Sequence, residues 1–334
     1  MQKKEYNLHV TDTPISGIAS KMHLLGQNMK FEWQYTDSEG CILRNFLRRH
    51  EISRSQLSKI KFSGGQILVN GQEAHTNIRL VQNDVVTVYL APEVAVEHVI
   101  PVKGDLKIAY EDDHFLIVDK PAFVASLPAP NHPNNTMANF VKQYLIDEQA
   151  ESLAVHVVTR LDRDTSGLMM FTKHGFAHSL LDRQLQSKEL QKTYIAIASG
   201  DMREDLPQHA WIDRPIKRSE EFYMRRVVGE GGKRSLTEYW QAAHGDGATL
   251  VKLKLLTGRT HQIRVHFASL GHSLIGDNLY GESDDLLPRQ ALHCRQLTFY
   301  HPFEERTITV KSPVPADFSA VLAQRQFDFD ETTL

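Results

Sequence analysis

Short apolar runs that end at turn residues recur along this 334-residue chain, and they constrain its fold more than any other feature. The runs "FLIVDKP", "GLMMFTKH", "KTYIAIASG" and "ATLVKLKLLTG" have the length of strands rather than of helices. Gly245-Asp246-Gly247 separates two such runs and predicts a hairpin. Because strands outnumber helices and hairpins are frequent, we predict an α+β fold with a mainly antiparallel mixed sheet.

A small basic unit is predicted between Cys41 and Pro92. "ILRNFLRRH" places apolar side chains on one helical face, and "SRSQLSKI" begins with a capping box of Ser53 and Gln56. Asn70-Gly71 predicts a two-residue hairpin because both residues tolerate positive φ, and "VVTVYL" alternates like a strand. The unit is therefore expected to contain two short helices followed by a small sheet.

The later helices have clear start signals. Thr136 precedes the apolar stripe of "MANFVKQYLI", "FAHSLLDRQLQ" has helical spacing, and Thr260 is expected to cap "HQIRVHFASLG". Composition then divides the chain into five parts. These are a leader at 1–40, the basic unit at 41–92, a linker at 93–105, a large α+β domain at 106–320 and an acidic tail at 321–334. The first 28 residues of the leader are expected to be flexible or to lie upstream of a second start at Met29.

Composition also limits the cellular setting. The chain has no run of eighteen apolar residues and no apolar segment near its N-terminus that would suit a secretory signal. Cys41 and Cys294 are the only cysteines, and two distant cysteines form neither a disulfide framework nor a zinc site. We therefore expect a monomeric cytoplasmic protein that does not bind membranes.

Charge is distributed unevenly along the chain. The net charge of −3 does not by itself indicate a nucleic-acid partner. Six lysines and arginines nevertheless lie between residues 41 and 61 against one glutamate, and seven lie between residues 214 and 234 against three glutamates. A basic segment is often only a solvated face, but two of them in an acidic chain make that explanation weaker.

The segment "VTRLDRDTSGLMMFTKH" places a cluster of charge directly before a buried strand. The cluster consists of Arg160, Asp162, Arg163 and Asp164. An aspartate beside arginines stays ionised, which suits a nucleophile or an electrostatic stabiliser rather than a general acid. From these residues alone, a salt-bridged surface turn is an open alternative.

Several common chemistries do not fit the cluster. It lacks the glycines and the Lys-Ser/Thr pair of a phosphate-binding loop, and no dinucleotide fingerprint or GxSxG elbow is present. Asp162 and Asp164 are spaced like calcium ligands, but no later ligands complete a loop. His261 and His266 are five residues apart, which is not the spacing of a zinc-binding helix. We predict neither a metal nor a cofactor.

The segment resembles the signature of the RluA-type pseudouridine synthases, which is close to His-Arg-Leu-Asp-x-x-Thr-Ser-Gly. Four more stretches are similar to that family and lie in its order along about two-thirds of the chain: "IAYEDDHFLIVDKPA", "QKTYIAIASG", "LLTGRTHQIRVHFASLGHSLIGDNLYG" and "ALHCRQLTFYHPF". The basic unit resembles an S4-type RNA-binding domain. Thr159 stands where the family has histidine, and "AFVASLPAPNHPNNT" departs from the usual segment after the Lys-Pro turn.

The resemblance implies an RNA isomerase that converts uridine to pseudouridine without a cofactor. It assigns catalysis to Asp162, to Tyr194 as the residue that stacks on uracil, and to Arg264 as the partner of the aspartate. The expected substrate is large-subunit ribosomal RNA, with transfer RNA as the alternative. A non-catalytic RNA-binding or ribosome-assembly factor on the same fold, and a hydrolase or lyase acting on another substrate, are the rival functions.

RNA contacts are expected from basic residues of the N-terminal unit and from residues of the two motifs that carry Asp162 and Arg264. The candidates are Arg44, Arg48, Arg49, Arg54, Lys59, Lys61, Arg160, Arg163, Arg259 and His261. Arg259 and Arg264 both belong to "GRTHQIR", and either could reach Asp162. Arg264 is favoured because it lies within the predicted helix, where packing can fix the direction of its side chain.

Overall fold

The computed structural model describes residues 29–93, 99–130 and 132–328 of the chain. A four-stranded sheet organises the residues up to Glu93, which we call the N-terminal unit, and a ten-stranded sheet organises the larger unit that follows. In the large sheet one pair of strands is parallel, and its other pairings are antiparallel. The predicted α+β class with a mainly antiparallel mixed sheet is confirmed.

The N-terminal unit combines two short helices with small strands. In chain order its elements are β1 (Lys30–Gln34), β2 (Cys41–Ile42), α1 (Leu43–Arg49), α2 (Arg54–Phe62), β3 (Gln66–Val69), β4 (Gln72–Glu73), β5 (Arg79–Leu80) and β6 (Val85–Tyr89). The predicted capping box of Ser53 and Gln56 begins α2. Asn70 and Gly71 form the predicted turn between β3 and β4, with φ values of 51° and 79°.

The predicted leader of 1–40 is wrong at its C-terminal end. Strand β1 pairs antiparallel with β6, and its side chains Phe31 and Trp33 are buried in the N-terminal unit. The run "KFEWQ" buries alternate residues, but five residues are too few to give a sustained sequence period. Residues 1–28, for which flexibility was expected, lie outside the described part of the chain.

The larger unit contains the long strands and four helices of five residues or more within the described residues. In chain order its elements are β7 (Ile108–Glu111), β8 (Phe115–Lys120), α3 (Met137–Asp147), β9 (His156–Val157), β10 (Ser166–Thr172), α4 (Gly175–Ser187), β11 (Gln191–Ser199), a 3₁₀ turn (Met202–Glu204), β12 (His209–Asp213), β13 (Ile216–Arg218), β14 (Arg226–Val228), β15 (Leu236–Gly245), β16 (Ala248–Leu255), α5 (Gln262–Ser269), β17 (Leu292–His301), β18 (Arg306–Lys311) and α6 (Ala316–Gln324).

Strand β10 lies inside the sheet and is covered on both faces. The sheet order is β12-β15-β16-β11-β17-β10-β8-β7, with β18 paired to β17 and β9 paired to β10. Leu168 and Met170 enter the main core, whereas Met169 and Phe171 pack in a second cluster with residues of α3. Burial on both faces explains why "GLMMFT" is continuously apolar rather than alternating.

Two predicted boundaries in the larger unit are corrected. Helix α5 begins after His261, not after Thr260, because His261 adopts the left-handed conformation (φ 57°) and turns the chain into the helix. Helix α6 extends into the predicted tail of 321–334, since Val321 and Leu322 are buried in the core. Their apolar spacing was hidden by the acidic composition of the segment. Residues 329–334 lie outside the described part.

The two units share a hydrophobic contact. Phe31 of β1 lies 5.2 Å from Phe176 of α4 and 5.5 Å from Phe303, measured between ring centroids. The Gln56 amide donates to the Ser179 hydroxyl over 3.1 Å, and the Arg183 guanidinium forms an ion pair with Glu51. Within residues 29–93, 99–130 and 132–328, no helix has the length and apolar character needed to cross a membrane.

Candidate active site

A cleft of about 640 Å³ brings together the three residues predicted to be catalytic. Asp162 comes from the turn before β10, Tyr194 from β11 and Arg264 from α5, and all three line this cleft. A second depression of about 740 Å³ lies between the two units, and none of the three residues lines it. Because the three residues predicted to be catalytic line the smaller cleft, we place the candidate active site there.

The Asp162 carboxylate is open to the cleft. Its backbone carbonyl accepts a hydrogen bond from the Thr165 N–H at 3.1 Å, which closes the turn that enters β10. The side chain is 26% exposed, and its Oδ2 lies 3.6 Å from Nη1 of Arg264. That separation exceeds a hydrogen bond, so the arginine provides a nearby charge without occupying the carboxylate.

Arg264 is held by a second, fully buried carboxylate. Its Nε and Nη2 donate to the two oxygens of Asp277, each at 2.7 Å. The ring of Tyr280 lies beneath the guanidinium, 5.0 Å from centroid to Cζ. Burial opposes the charge on Arg264, but the hydrogen bonds and charge of Asp277 more than offset it and raise the pKa of Arg264. Two of its nitrogens are therefore fixed, and Nη1 is left facing Asp162.

Buried polar groups fix the loop that carries Asp162. The Ser126 hydroxyl donates to the Leu161 carbonyl at 2.7 Å and accepts from the Leu161 N–H at 3.0 Å. Nζ of Lys120 donates to the carbonyls of Pro121, Val124 and Arg163 at 2.7–2.8 Å. Burial lowers the pKa of Lys120 to about 7, yet three acceptors match the three N–H groups of the ammonium.

Close backbone packing fixes the other side of the same loop. Gly167 has a φ of 110°, and a Cβ atom there would lie 2.3 Å from the Cys294 carbonyl oxygen. Only glycine therefore permits β10 to pair in parallel with β17 at this point. The Gln290 amide also donates to the Thr165 hydroxyl at 3.0 Å. The turn that holds Asp162 is thus anchored on both flanks.

Tyr194 presents a neutral phenol to the site. The residue is only 3% exposed, and it lies opposite the buried Cys294 on the adjacent strand β17. Burial raises the pKa of Tyr194 well above its ordinary value, and it raises the pKa of Cys294 to about 12. Lys192 also lines the cleft, with its Nζ 5.8 Å from the Tyr194 ring centroid.

The predicted RNA-binding residues of the larger unit all line the cleft, but they differ in their freedom to act. Arg160 is exposed at its edge. Arg163 donates twice to Asp164, at 2.7 and 3.0 Å, so its guanidinium is already engaged. Arg259 donates from Nε to the Arg234 carbonyl at 3.2 Å. His261 Nδ1 lies 2.9 Å from the Tyr280 hydroxyl.

The six basic residues predicted in the N-terminal unit are all exposed, and they lie on its two helices. They are Arg44, Arg48, Arg49, Arg54, Lys59 and Lys61. Two of them have partners, since Arg49 pairs with Asp37 at 3.1 Å and Lys61 donates to the Thr76 hydroxyl at 2.7 Å. None of the six lines the cleft, so any contact they make with a substrate is outside the candidate active site.

Three residues that position the site were missed in the sequence. Asp277 lies in "GDNLYG", and Ser126 lies in the segment that departs from the family pattern. A lysine at the end of the apolar run "FLIVDK" was a usable signal for Lys120, because a buried lysine requires partners. Thr159, which replaces the family histidine, is buried, and its hydroxyl accepts from the Met170 N–H at 2.9 Å.

Comparison with known proteins identifies the family. Residues 114–269 match the family described as RNA pseudouridylate synthase. The uncharacterized RNA pseudouridine synthase YjbO of Bacillus subtilis is 36% identical over 81% of this chain and 94% of its own length. The chain belongs to the RNA pseudouridine synthase family. It is therefore an isomerase that modifies RNA.

Other relatives agree with this assignment. A protein of Xanthomonas campestris pv. campestris named ribosomal large subunit pseudouridine synthase D is 32% identical over 83% of this chain and 86% of its own length. The human RNA pseudouridylate synthase domain containing 1 is a structural neighbour with a TM-score of 0.51 and 28% identity, covering 63% of this chain and 83% of that one. The human domain containing 4 protein, with a TM-score of 0.55, supports the fold.

We predict that Arg264→Lys loses far more turnover than Arg259→Lys. Lysine cannot reproduce the planar fork that binds both oxygens of Asp277 while presenting a third nitrogen to Asp162. Single-turnover isomerisation should fall at least about 100-fold in Arg264→Lys and less than about fivefold in Arg259→Lys, which should mainly weaken RNA binding. A larger loss of chemical rate in Arg259→Lys would contradict the geometry.

Proposed function

We propose that this protein isomerises specific uridines of large-subunit ribosomal RNA to pseudouridine, with Asp162, Tyr194 and Arg264 as its catalytic residues. The observation that carries the catalytic assignment is the partly exposed Asp162 carboxylate 3.6 Å from a pinned arginine, in a cleft that Tyr194 also lines. A protein kept only for binding RNA has no need of this arrangement, which argues against the rival of a non-catalytic assembly factor.

Asp162 is assigned to the bond-breaking step. The reaction breaks the bond between uracil N1 and the ribose, turns the base within the pocket and joins C5 to the ribose. C5 loses its proton in this exchange, and N1 gains one. An ionised carboxylate can serve as a nucleophile at the ribose or the base, or it can remove a ribose proton. Both roles need a free carboxylate oxygen that faces the substrate, and the long contact to Arg264 leaves Asp162 with one.

Tyr194 is assigned to contact with the extruded base. A uridine in folded RNA must leave its stack before the glycosidic bond can be reached, which costs a few kcal/mol. The aromatic side chain can replace part of the lost stacking. Because burial keeps the phenol protonated far above neutral pH, Tyr194 can donate a proton or a hydrogen bond but does not act as a base at pH 7.

The choice of ribosomal RNA rests on the relatives and on the N-terminal unit. Ribosomal large subunit pseudouridine synthase D of Xanthomonas campestris matches most of this chain, and its name states that substrate. The sequence of the N-terminal unit resembles an S4-type RNA-binding domain, and its two helices expose six basic side chains. We assign the chain to the RluA-type group on the order of its motifs.

We predict that Asp162→Asn reduces isomerisation to less than about one thousandth of the wild-type rate while RNA affinity stays within about tenfold. Asparagine keeps the shape of the side chain but cannot attack or accept a proton as a carboxylate does. Tritium release from 5-³H-uridine in a large-subunit rRNA transcript and in a tRNA transcript measures both the role and the target. Normal turnover of Asp162→Asn would exclude the role, and release from the tRNA alone would exclude the ribosomal target.

The basic helices of the N-terminal unit generate a separate prediction. We expect Arg44→Gln/Arg48→Gln/Arg54→Gln to weaken binding of the rRNA transcript and to reduce the slope of log affinity against log salt by about 2. Lys103→Gln/Lys188→Gln/Lys311→Gln removes the same charge from exposed lysines outside the unit and is the matched control. Equal effects of the two triple variants would mean that the unit contributes only general charge.

A further inference from the structure

An exposed aromatic tip projects from the larger unit. Strands β13 and β14 pair antiparallel, from Ile216↔Val228 to Arg218↔Arg226, and residues 219–225 connect them. The connection carries Phe222, Tyr223 and Met224, which are 55%, 72% and 65% exposed. Large apolar side chains that are this accessible, and adjacent in the chain, suggest a contact surface.

The tip has internal order. The Ser219 hydroxyl accepts from the Phe222 N–H at 3.2 Å, and the Arg225 N–H donates to the Phe222 carbonyl at 2.9 Å. Two arginines flank the rings, with the Cζ of Arg218 4.2 Å from the Tyr223 centroid and that of Arg225 5.2 Å from the Phe222 centroid. The rings and guanidinium groups are therefore presented together, which reduces the entropy lost on binding.

The base of the hairpin is attached to the wall of the active site. The Arg226 N–H donates to the Tyr280 hydroxyl at 2.8 Å, and the same hydroxyl contacts His261, which lines the cleft. Tyr280 also lies beneath Arg264. Phe222 is four positions before Arg226, so the tip lies within roughly 13 Å of this anchor along an extended chain.

Charge favours a polyanion as the partner of the tip. Four basic residues, Lys217, Arg218, Arg225 and Arg226, lie at the two ends of the tip in the sequence, and Glu220 and Glu221 lie between them. Glu220 is 3.8 Å from Lys217, a distance at which the pair is weak and easily separated. Exposed rings beside arginines form the kind of surface on which unpaired bases stack while phosphates bind the cations.

We propose that residues 219–225 bind an unpaired stretch of the RNA substrate next to the target uridine. Phe222 and Tyr223 stack on its bases, and Arg218 and Arg225 bind the flanking phosphates. This inference rests on the proposed function and narrows it, because it requires a substrate in which the target uridine lies beside single-stranded nucleotides. A duplex offers phosphates to the arginines but keeps its bases inside the stack.

The test uses the full chain and two RNA probes, a fluorescein-labelled 12-nucleotide oligouridine and a blunt 12-base-pair RNA duplex. In Phe222→Leu/Tyr223→Leu the apolar character remains but the stacking faces are lost. We expect its Kd for oligouridine to rise roughly 5- to 30-fold, with its salt slope unchanged and its Kd for the duplex within about twofold of wild type.

Two variants serve as controls. Phe222→Tyr/Tyr223→Phe keeps both aromatic faces and should bind oligouridine like the wild type. Tyr300→Leu changes an exposed aromatic residue outside the tip, six residues or about 20 Å along β17 from Cys294, and it should also bind normally. If Tyr300→Leu loses as much affinity for oligouridine as Phe222→Leu/Tyr223→Leu does, the specific role of the tip is overturned.

Other outcomes separate this inference from the proposed function. The stacking role would be overturned if Phe222→Leu/Tyr223→Leu bound oligouridine within twofold of the wild-type Kd. It would also be overturned if the variant lost as much affinity for the duplex as for oligouridine. An apolar protein partner would then fit the tip better. Tritium release by the wild-type protein tests the proposed function independently. If that release is absent on ribosomal and transfer RNA, the proposed function fails, whereas the oligouridine result still decides the role of the tip.

Discussion

The buried ion pair between Arg264 and Asp277 is the interaction on which the active site depends. Both side chains are less than 10% exposed, and two 2.7 Å hydrogen bonds join them. A buried pair adds little net stability, but loss of one partner leaves an uncompensated charge and typically costs about 3–5 kcal/mol. Its main effect here is directional, because two nitrogens of the guanidinium are fixed and the third faces Asp162. The carboxylate in the cleft therefore stays beside a positive charge without being bound by it.

The rest of the fold holds Asp162 in register with that arginine. Strand β10 is buried on both faces, and a slip by one residue would exchange the side chains that fill the main core with those that pack against α3. Lys120 and Ser126 bind the backbone of the preceding loop, and Gly167 allows β10 to approach β17 closely. A site built from a strand, a clamped turn and a helix is stiffer than one built on free loops. The residues that make these contacts range from Lys120 to Cys294, so distant parts of the larger unit together hold one carboxylate in place.

Local features of the fold were predictable from the sequence, and long-range ones were not. The capping box at Ser53, the turn at Asn70-Gly71 and the strand that becomes β10 all depend on nearby residues, and the structure contains each of them. The partner of Arg264 was missed because "GRTHQIR" gives no sign that "GDNLYG" folds back against it. The start of α5 was misplaced for a similar reason, since the left-handed His261 is held by its contact with Tyr280. Strand β1 and helix α6 correct the predicted ends of the leader and the tail, and the roles of the site residues remain predictions.

The most direct test of this arrangement is a double-mutant cycle between Asp277→Asn and Arg264→Lys, measured as single-turnover isomerisation at 20 °C. Circular dichroism of each variant controls for loss of the fold. If Asp277 acts by orienting Arg264, Asp277→Asn should slow the reaction by about 100-fold or more, and the double variant should be no slower than Arg264→Lys alone. Two results would contradict the dependence of the site on this ion pair. One is a double variant whose rate loss is the product of the two single losses, and the other is a rate for folded Asp277→Asn within threefold of wild type.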